Sequence, residues 1–342
     1  MKWWLDSVCG TLAGMRIFVT GGAGFIGSNF IRHVLGLDPD IRVTNYDKLT
    51  YAGNPASLRD VADDPRYAFV QGDLCDAELL DEVLPGHDAV VNFAAESHVD
   101  RSITGSREFM LANVVGADTI FSAGMRHGVE RFLHISTDET YGSVPEPASF
   151  VEGDALEPNS PYSASKAAAD LLARAYRVTH GYPVTVTRTA NNFGPYHFPE
   201  KVVPLFVTNL IDGGDVPLYG DGRNVRDWTY VLDNVAAQWL VLTEGAPGEI
   251  YNVGAGNAMT NKELTYAILD RFGVGEERIR LVADRPGHDL RYSVDTSKVR
   301  TLGWKPQHSF TEALDATIAW YRANEWWWRP LKEAGASDRR GL

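Results

Sequence analysis

Short apolar runs and amphipathic stretches alternate along the first half of the chain. Ile17 to Thr20 has the length of a buried strand, and a helical pattern follows it through Leu35. Ile41 to Tyr46, Tyr67 to Gln71, Ala89 to Phe93 and Arg131 to Ser136 read as further strands. Between them, Ala77 to Leu84 reads as a helix and Phe109 to His127 as one long amphipathic helix. Leu58 and Val61 suggest a short helix in the turn-rich stretch from Thr50 to Pro65. This alternation predicts a doubly wound parallel sheet with right-handed crossovers, whose ligands gather at the carboxyl ends of the strands. From Asn191 the texture changes, with proline and glycine clustered in Phe193 to Pro199 and Asp212 to Gly222. Helices are expected there at Pro204 to Asp212, Val231 to Glu244, Asn261 to Phe272 and Phe310 to Trp328.

The first strand breaks into Gly21-x-x-Gly24-x-x-Gly27 at the start of the first helix. Gly21 suits the tight turn, Gly24 a close backbone approach to a pyrophosphate, and Gly27 close helix–strand packing. Free N–H groups at the helix start, with the helix dipole behind them, favour a diphosphate. Asp47 ends the second strand twenty residues after Gly27, where a carboxylate would accept from ribose hydroxyls and repel a 2′-phosphate. Together these features predict a Rossmann-type α/β fold that binds NAD, although Lys48 beside the acid tempers the preference over NADP. Candidate cofactor contacts are Gly21, Gly24, Phe25, Ile26 and Gly27, then Asp47, Lys48, Leu49 and Thr50. Asp73 and Leu74 suit the adenine side. Phe93, Ala94, Ala95 and Ser97 let backbone lie against a flat ring or ribose, and Asn191 completes the set.

The expected organisation is an extension over 1–14 and an NAD-binding unit over 15–190, to which the chain returns around 223–254. A smaller α/β substrate-binding unit comprises 191–222 and 255–331, followed by a tail over 332–342. At 342 residues, with 44% hydrophobic content and a mean hydropathy of -0.21, the chain can bury a sizeable core. Its net charge of -13 argues against nucleic acid or an anionic membrane as partner, so an anionic ligand needs a local basic cluster. Cys9 and Cys75 give neither a disulfide framework nor metal-ligand spacing, which points to the reduced cytoplasm. Asp6 interrupts the apolar residues of the first segment, which reads as a frayed extension rather than a signal peptide, with Met15 as an alternative start. No stretch approaches the ~18–20 apolar residues of a membrane span.

Tyr162 and Lys166 lie four residues apart, which places phenol and ammonium on one helix face. A neighbouring ammonium and an oxidised nicotinamide would lower the phenol's pKa, letting it take a hydroxyl proton while hydride leaves. The same spacing occurs on solvated helix faces, and the glycine fingerprint upstream favours the functional reading.

With these motifs the chain resembles the extended short-chain dehydrogenase/reductase family, which acts on nucleotide-linked sugars, from Arg16 to about Leu331. Within it the chain is most similar to the dTDP-glucose 4,6-dehydratases. The stretches that carry this are Ala94 to Ser102, Ser136 to Gly142, Pro161 to Lys166, Asn191 to Lys201 and Asp284 to Asp289. Sister epimerases and decarboxylases usually lack the adjacent Asp138-Glu139 pair and the last two loops. Losing water from a 4-keto sugar needs a base for the C5 proton and an acid for the departing C6 hydroxyl. Adjacent carboxyls supply both if their environments split their pKa values.

The resemblance implies Asp138 as acid, Glu139 as base, and Thr137 polarising the C4 carbonyl. In the implied cycle Tyr162 takes the C4 hydroxyl proton as hydride passes to NAD, water is eliminated across C5 and C6, and hydride returns to C6. No net redox occurs, so NAD stays bound. Arg226 and Arg285 are the basic candidates for a diphosphate. The resemblance adds His98, Asn192, Glu200, Lys201, Val202, Pro217, Tyr219, Asn261 and His288 around dTDP-glucose; for His288 and Asn261 a structural role competes. Thr140 stands where the family usually has Val, and Thr189-Ala190 where it often has Cys-Ser.

His134 reads as a strand residue, since no partner with ligand spacing accompanies it, and no metal is expected. Glu325-Trp-Trp-Trp-Arg-Pro-Leu331 reads as a terminal helix packing its aromatics onto the core rather than an exposed patch. By analogy the helices 109–127 and 162–180 would form a homodimer. The rival readings are a 4-epimerase or decarboxylase of the same family, and a non-catalytic NAD-sensing module.

Overall fold

The computed structural model describes residues 14–338, the last four by their backbone alone. The expected extension over 1–14, with Cys9 and Asp6, therefore lies almost wholly outside the described residues.

The elements run in chain order as β1 (Arg16–Thr20), α1 (Phe25–Leu37), β2 (Arg42–Asp47), β3 (Tyr67–Gln71), α2 (Ala77–Val83), β4 (Ala89–Asn92) and α3 (Val99–Thr104). Next come α4 (Arg107–Met110), a π turn (Leu111–Val115), α5 (Gly116–Arg126), β5 (Arg131–Thr137), a 3₁₀ turn (Asp138–Tyr141), α6 (Pro161–His180) and β6 (Val184–Thr189). The second half holds β7 (Asn191–Phe193), α7 (Val202–Ile211), β8 (Val216–Tyr219), β9 (Val225–Tyr230), α8 (Val231–Glu244), β10 (Ile250–Val253) and β11 (Ala258–Thr260). It closes with α9 (Asn261–Phe272), β12 (Ile279–Val282), α10 (Ser297–Thr301), α11 (Phe310–Ala323) and α12 (Glu325–Asp338).

Seven strands form one parallel sheet in the order β10-β6-β5-β4-β1-β2-β3. The order reverses between β1 and β4, so a crevice opens at their carboxyl ends. Apolar residues of α1 and α8, among them Phe30, Ile31, Val235 and Val241, bury one sheet face. Phe121, Ala169, Ala173 and Tyr176 of α5 and α6 bury the other. The sheet is covered on both sides, which is why its strands read as continuous apolar runs.

A third core joins α7, α9, α11 and α12 to the small sheet β11-β9-β7 and the pair β12-β8. Here the chain departs from the expected boundaries. Val225 to Tyr230 lies in the stretch expected to return to the larger unit, yet it pairs with β7 and β11 of the small sheet. Only α8 and β10 join the large one.

Three helices also differ from the sequence pattern. The expected helix 109–127 contains a π turn, where one extra residue shifts the helical face by part of a turn. The expected helix 310–328 breaks at Asn324 into α11 and α12. The expected tail is helical as far as Asp338, where Lys332 pairs with Asp212 at 2.7 Å. Trp327 and Trp328 are buried against the third core, while Trp326 remains 46% exposed.

Candidate active site

The crevice at the strand ends is a cleft of about 600 Å³. It is lined by every candidate residue named from the sequence except Leu49, whose N–H donates to Asp47 at 2.8 Å.

On one wall the glycine turn behaves as its spacing implies. Gly21 has φ +68°, and a Cβ there would stand 2.6 Å from the Ala94 nitrogen. A Cβ on Gly27 would stand 2.4 Å from the Gly21 carbonyl oxygen, so both positions are closed to larger residues. At Gly24 the nearest atom is 3.2 Å away and the rest is open cleft. That cradle fits the pyrophosphate of a dinucleotide.

Asp47 accepts from Ala23 N–H at 2.9 Å as well as from Leu49, so it ties the glycine turn to the end of β2. Each of its oxygens keeps a second lone pair for a ribose hydroxyl. Lys48 is not free to greet a 2′-phosphate, because its ammonium pairs with Asp73 at 2.7 Å. Partial burial pushes Asp73 upward, but the Cys75 N–H at 3.0 Å and then Lys48 hold it below the usual carboxylate range.

On the other wall, α6 begins with a reciprocal Ser160–Ser163 cap and Pro161 in its first turn. This fixes Tyr162 in the first turn and Lys166 one turn on, both buried. Lys166 Nζ donates to the Ile135 carbonyl at 2.6 Å and lies 3.4 Å from His134 Nε2. Burial lowers its pKa to about 8.

Burial, then the charges of Glu139 and Asp138, push Tyr162 upward, with only the Thr137 hydroxyl acting downward. Lys166 is committed to the strand behind it, and the other positive charge expected to act on the phenol is that of an oxidised nicotinamide.

The two adjacent carboxyls stand in different surroundings, and burial raises both. Asp138 is raised to about 8 by burial and by the charge of Glu139, which makes it an acid at neutral pH. Its Oδ1 accepts from Thr137 Oγ1 at 3.3 Å, and its Oδ2 is buried without a hydrogen-bond partner. Glu139 is raised as well, by burial above all; Arg285, Arg226 and Lys201 oppose that shift and Asp289 adds to it.

Arg226 donates to the Val225 and Asp289 carbonyls at 2.7 and 2.8 Å and lies over the Tyr292 ring at 4.0 Å. It is therefore fixed beside the carboxyls. Arg285 reaches across to Asp100 of α3 at 3.3 Å, and Tyr219 donates to the other oxygen of Asp100 at 3.2 Å. Lys201 donates to the Ser97 carbonyl at 2.9 Å. His98, at the start of α3, is lowered to about 4 by burial and Lys201, so its ring is neutral. His288 is bound by Asp284 at 2.6 Å. Asn192 donates to Thr189 and to the Ala190 carbonyl, leaving its own oxygen unpartnered, as is that of Asn191. Asn261 opens α9 after the Thr260–Glu263 capping box, and its N–H donates to the Asn224 carbonyl at 2.9 Å.

Several residues of the site carry no readable signal in the sequence. Arg101 stacks on Tyr51 at 3.9 Å and pairs with Glu200 at 3.0 Å. Asn113, in the π turn, holds both backbone groups of Glu96 and donates to Ser165 at 2.8 Å. An asparagine inside an apolar helix pattern is the only hint of it. Among the described residues no cluster of side chains could hold a metal ion, and no helix is long and apolar enough to cross a membrane.

A parallel sheet with a glycine-turn crevice, a Tyr/Lys helix and a strand-end threonine define a short-chain dehydrogenase/reductase. The family model described as GDP-mannose 4,6 dehydratase matches residues 18–317, and the chain belongs to that family. It is 53% identical to a dTDP-glucose 4,6-dehydratase of Streptomyces niveus, over 93% of this chain and 96% of that one. DesIV, a dTDP-glucose 4,6-dehydratase of Streptomyces venezuelae solved with NAD bound, superposes with a TM-score of 0.91 at 54% identity. That match covers 93% of this chain and all of DesIV. A Thermus thermophilus UDP-glucose 4-epimerase solved with NAD shares the fold at a TM-score of 0.83 but only 31% identity, covering 91% of this chain and all of that one.

Proposed function

We propose that this chain is a dTDP-glucose 4,6-dehydratase, a hydro-lyase that converts dTDP-glucose to dTDP-4-keto-6-deoxyglucose and water with NAD held in the glycine-turn cleft. The observation that carries this is the adjacent pair in one cleft with Tyr162: Asp138, raised to about 8 by burial and by the charge of Glu139, and Glu139 itself, faced by Arg285, Arg226 and Lys201. An epimerase has no use for such a pair, and an NAD-sensing module has none for Tyr162 either.

NAD supplies a hydride acceptor at the sugar C4 and a hydride donor at C6. Gly24 gives the diphosphate room, Asp47 holds the adenosine ribose, and the Lys48–Asp73 pair withholds a cation from the 2′ position, which favours NAD over NADP. The Tyr162 oxygen takes the C4 hydroxyl proton. Keeping Asp138 protonated removes one of the two charges that oppose the phenolate. Thr137 polarises the C4 carbonyl, which acidifies C5–H. Glu139 removes that proton while Asp138 gives its own to the C6 oxygen, and water departs. Arg285 anchors the diphosphate, with Arg226 fixed behind it. Lys201, Glu200 and His98 line the sugar side.

We further infer a homodimer formed through α4, α5 and α6. Met110, Leu111 and Val115 on the first segment, and Leu171 and Val178 on α6, are apolar and exposed. A particle of monomer size in solution would end that inference. A cytoplasmic setting agrees with the two-cysteine sequence and with the exposed free thiol of Cys75.

The test is incubation of the purified protein with dTDP-glucose and, separately, with UDP-glucose. Loss of one water from dTDP-glucose, with no net consumption of NAD, is expected. A mass-neutral conversion to the galacto isomer would instead make the chain an epimerase.

A further inference from the structure

Among the described residues one ion pair is almost wholly withdrawn from water, and neither of its partners lines the cleft. Arg188 of β6 donates from Nε to Asp170 Oδ2 of α6 at 2.7 Å, with both side chains nearly fully buried. The match is one-sided, because Asp170 Oδ1 is buried without a hydrogen-bond partner. A buried pair matched so incompletely is a poor source of stability, and well-packed apolar residues often serve a fold as well. What the pair holds in place is therefore the better guide to its use.

Asp170 stands one helical turn beyond Lys166 and two beyond Tyr162, so the Tyr/Lys helix supplies one end of the contact. Arg188 is in register with Ser136 of β5 on one side and with Asn252 of β10 on the other. Its guanidinium lies over the ring of Tyr141, 4.6 Å from the centroid. Tyr141 closes the 3₁₀ turn that carries Asp138 and Glu139, and it is almost completely buried. Its hydroxyl donates to Asn252 Oδ1 at 2.8 Å, and its ring stacks on Phe150 at 4.9 Å.

The turn's other hydrogen bonds are local. Thr140 donates to the Thr137 carbonyl at 2.8 Å, and the Thr137 hydroxyl accepts from Glu139 N–H at 3.3 Å. A single 3₁₀ turn has poor hydrogen-bond geometry and depends on its surroundings. The twenty-residue helix α6 is in the opposite position, capped at its start and packed on the sheet through Ala169, Ala173 and Tyr176. The helix is thus secure without Asp170, whereas the turn relies on the seat of Tyr141.

We propose that Arg188 is a positioning residue for the carboxyl turn. Anchored to α6 by Asp170, its guanidinium seats the Tyr141 ring and thereby sets Asp138 and Glu139 against Tyr162. That this turn carries out water elimination rests on the dehydratase reading; the seating of the turn does not.

Two variants and two readouts test this. Arg188→Lys keeps a positive charge for Asp170 but lacks the planar guanidinium. Tyr141→Leu removes the ring and leaves the ion pair whole, so it serves even if Arg188→Lys does not fold. The first readout is backbone hydrogen exchange followed by mass spectrometry. Exchange over residues 138–142 should rise at least ten-fold in both variants, while that of α6 stays as in the unaltered protein. The second is a single turnover of dTDP-glucose. Reduced cofactor should form at a rate within about three-fold of the unaltered protein. Water loss should slow by about ten- to a hundred-fold, because a small misplacement of reacting groups is costly. The double variant should be no slower than the worse single one, since both act through one contact. Unchanged exchange in the turn, equal slowing of both steps with a lower Tm, or additive losses would each overturn the proposal. If the unaltered protein itself forms no reduced cofactor from dTDP-glucose, the dehydratase reading is at fault, and the exchange result still decides whether Arg188 seats the turn.

Discussion

The two walls of the cleft are built on opposite plans. On the cofactor wall, backbone geometry and internal pairing leave little unmatched: Asp47 is bound by two N–H groups and Lys48 is bound by Asp73. On the sugar wall, buried polar atoms stand without hydrogen-bond partners, among them Asp138 Oδ2, His98 Nδ1, Asn192 Oδ1 and Arg285 Nε. Such atoms are rare in folded proteins because each costs stability. One wall is thus a finished mould whose fit is steric. The other holds its chemistry in reserve for a ligand that brings complementary groups.

The sharpest way to break this contrast is at the sugar wall. Tyr162→Phe should keep the fold and lower kcat by about 10³-fold, since it removes the oxygen that takes the C4 hydroxyl proton. Unchanged turnover would remove Tyr162 from the mechanism. Glu139→Gln should cost about 10²–10³-fold, while exchange of the C5 proton with solvent deuterium disappears. Persistent exchange would mean another base.

The reserve has a pH signature as well. Asp138 must be protonated to act, so turnover should fall as the pH rises through about 8. The same shift makes the acid a burden on stability. The unfolded chain ionises it near pH ~4, whereas the fold keeps it neutral to about 8. Folding is therefore penalised across that window, and the penalty is absent below the lower value. Asp138→Asn should accordingly raise Tm at pH 7 by a few degrees and lose this advantage near pH ~4. An equal gain at both pH values would contradict the assignment.

The cofactor wall should respond sterically. Gly27→Ala is expected to destabilise the protein, because its Cβ meets the Gly21 carbonyl oxygen. Gly24→Ala should fold and lose NAD affinity instead. Similar losses of Tm in both would mean that Gly24 serves packing alone. The smallest effect is expected from Lys48→Ala, which should leave the ratio of NAD to NADP affinity within about three-fold, since the side chain is already paired.

The same contrast explains what the sequence discloses. The cofactor wall is local: β1, the glycines, α1 and Asp47 follow one another within about thirty residues, so apolar runs and spacing reveal it. Tyr162 and Lys166 share one capped helix and are readable for the same reason. The sugar wall is assembled from distant loops, and its partnerships depend on three-dimensional approach. The pairing of Arg285 with Asp100 joins residues 185 positions apart. The stacking of Arg101 on Tyr51 and the clasp of Asn113 on Glu96 have no local pattern either. The π turn and the break at Asn324 were hidden because apolar periodicity survives a small change of phase.

The central claim is that Asp138 and Glu139 divide acid and base work in water elimination. It is tested most directly by giving Asp138→Asn protein dTDP-glucose and identifying the bound sugar by mass after rapid quenching. C4 oxidation should proceed while water loss slows by about 10²-fold or more. A 4-keto sugar that retains its C6 oxygen should therefore accumulate together with reduced cofactor. Formation of the 4-keto-6-deoxy product at the rate of the unaltered protein would contradict the account.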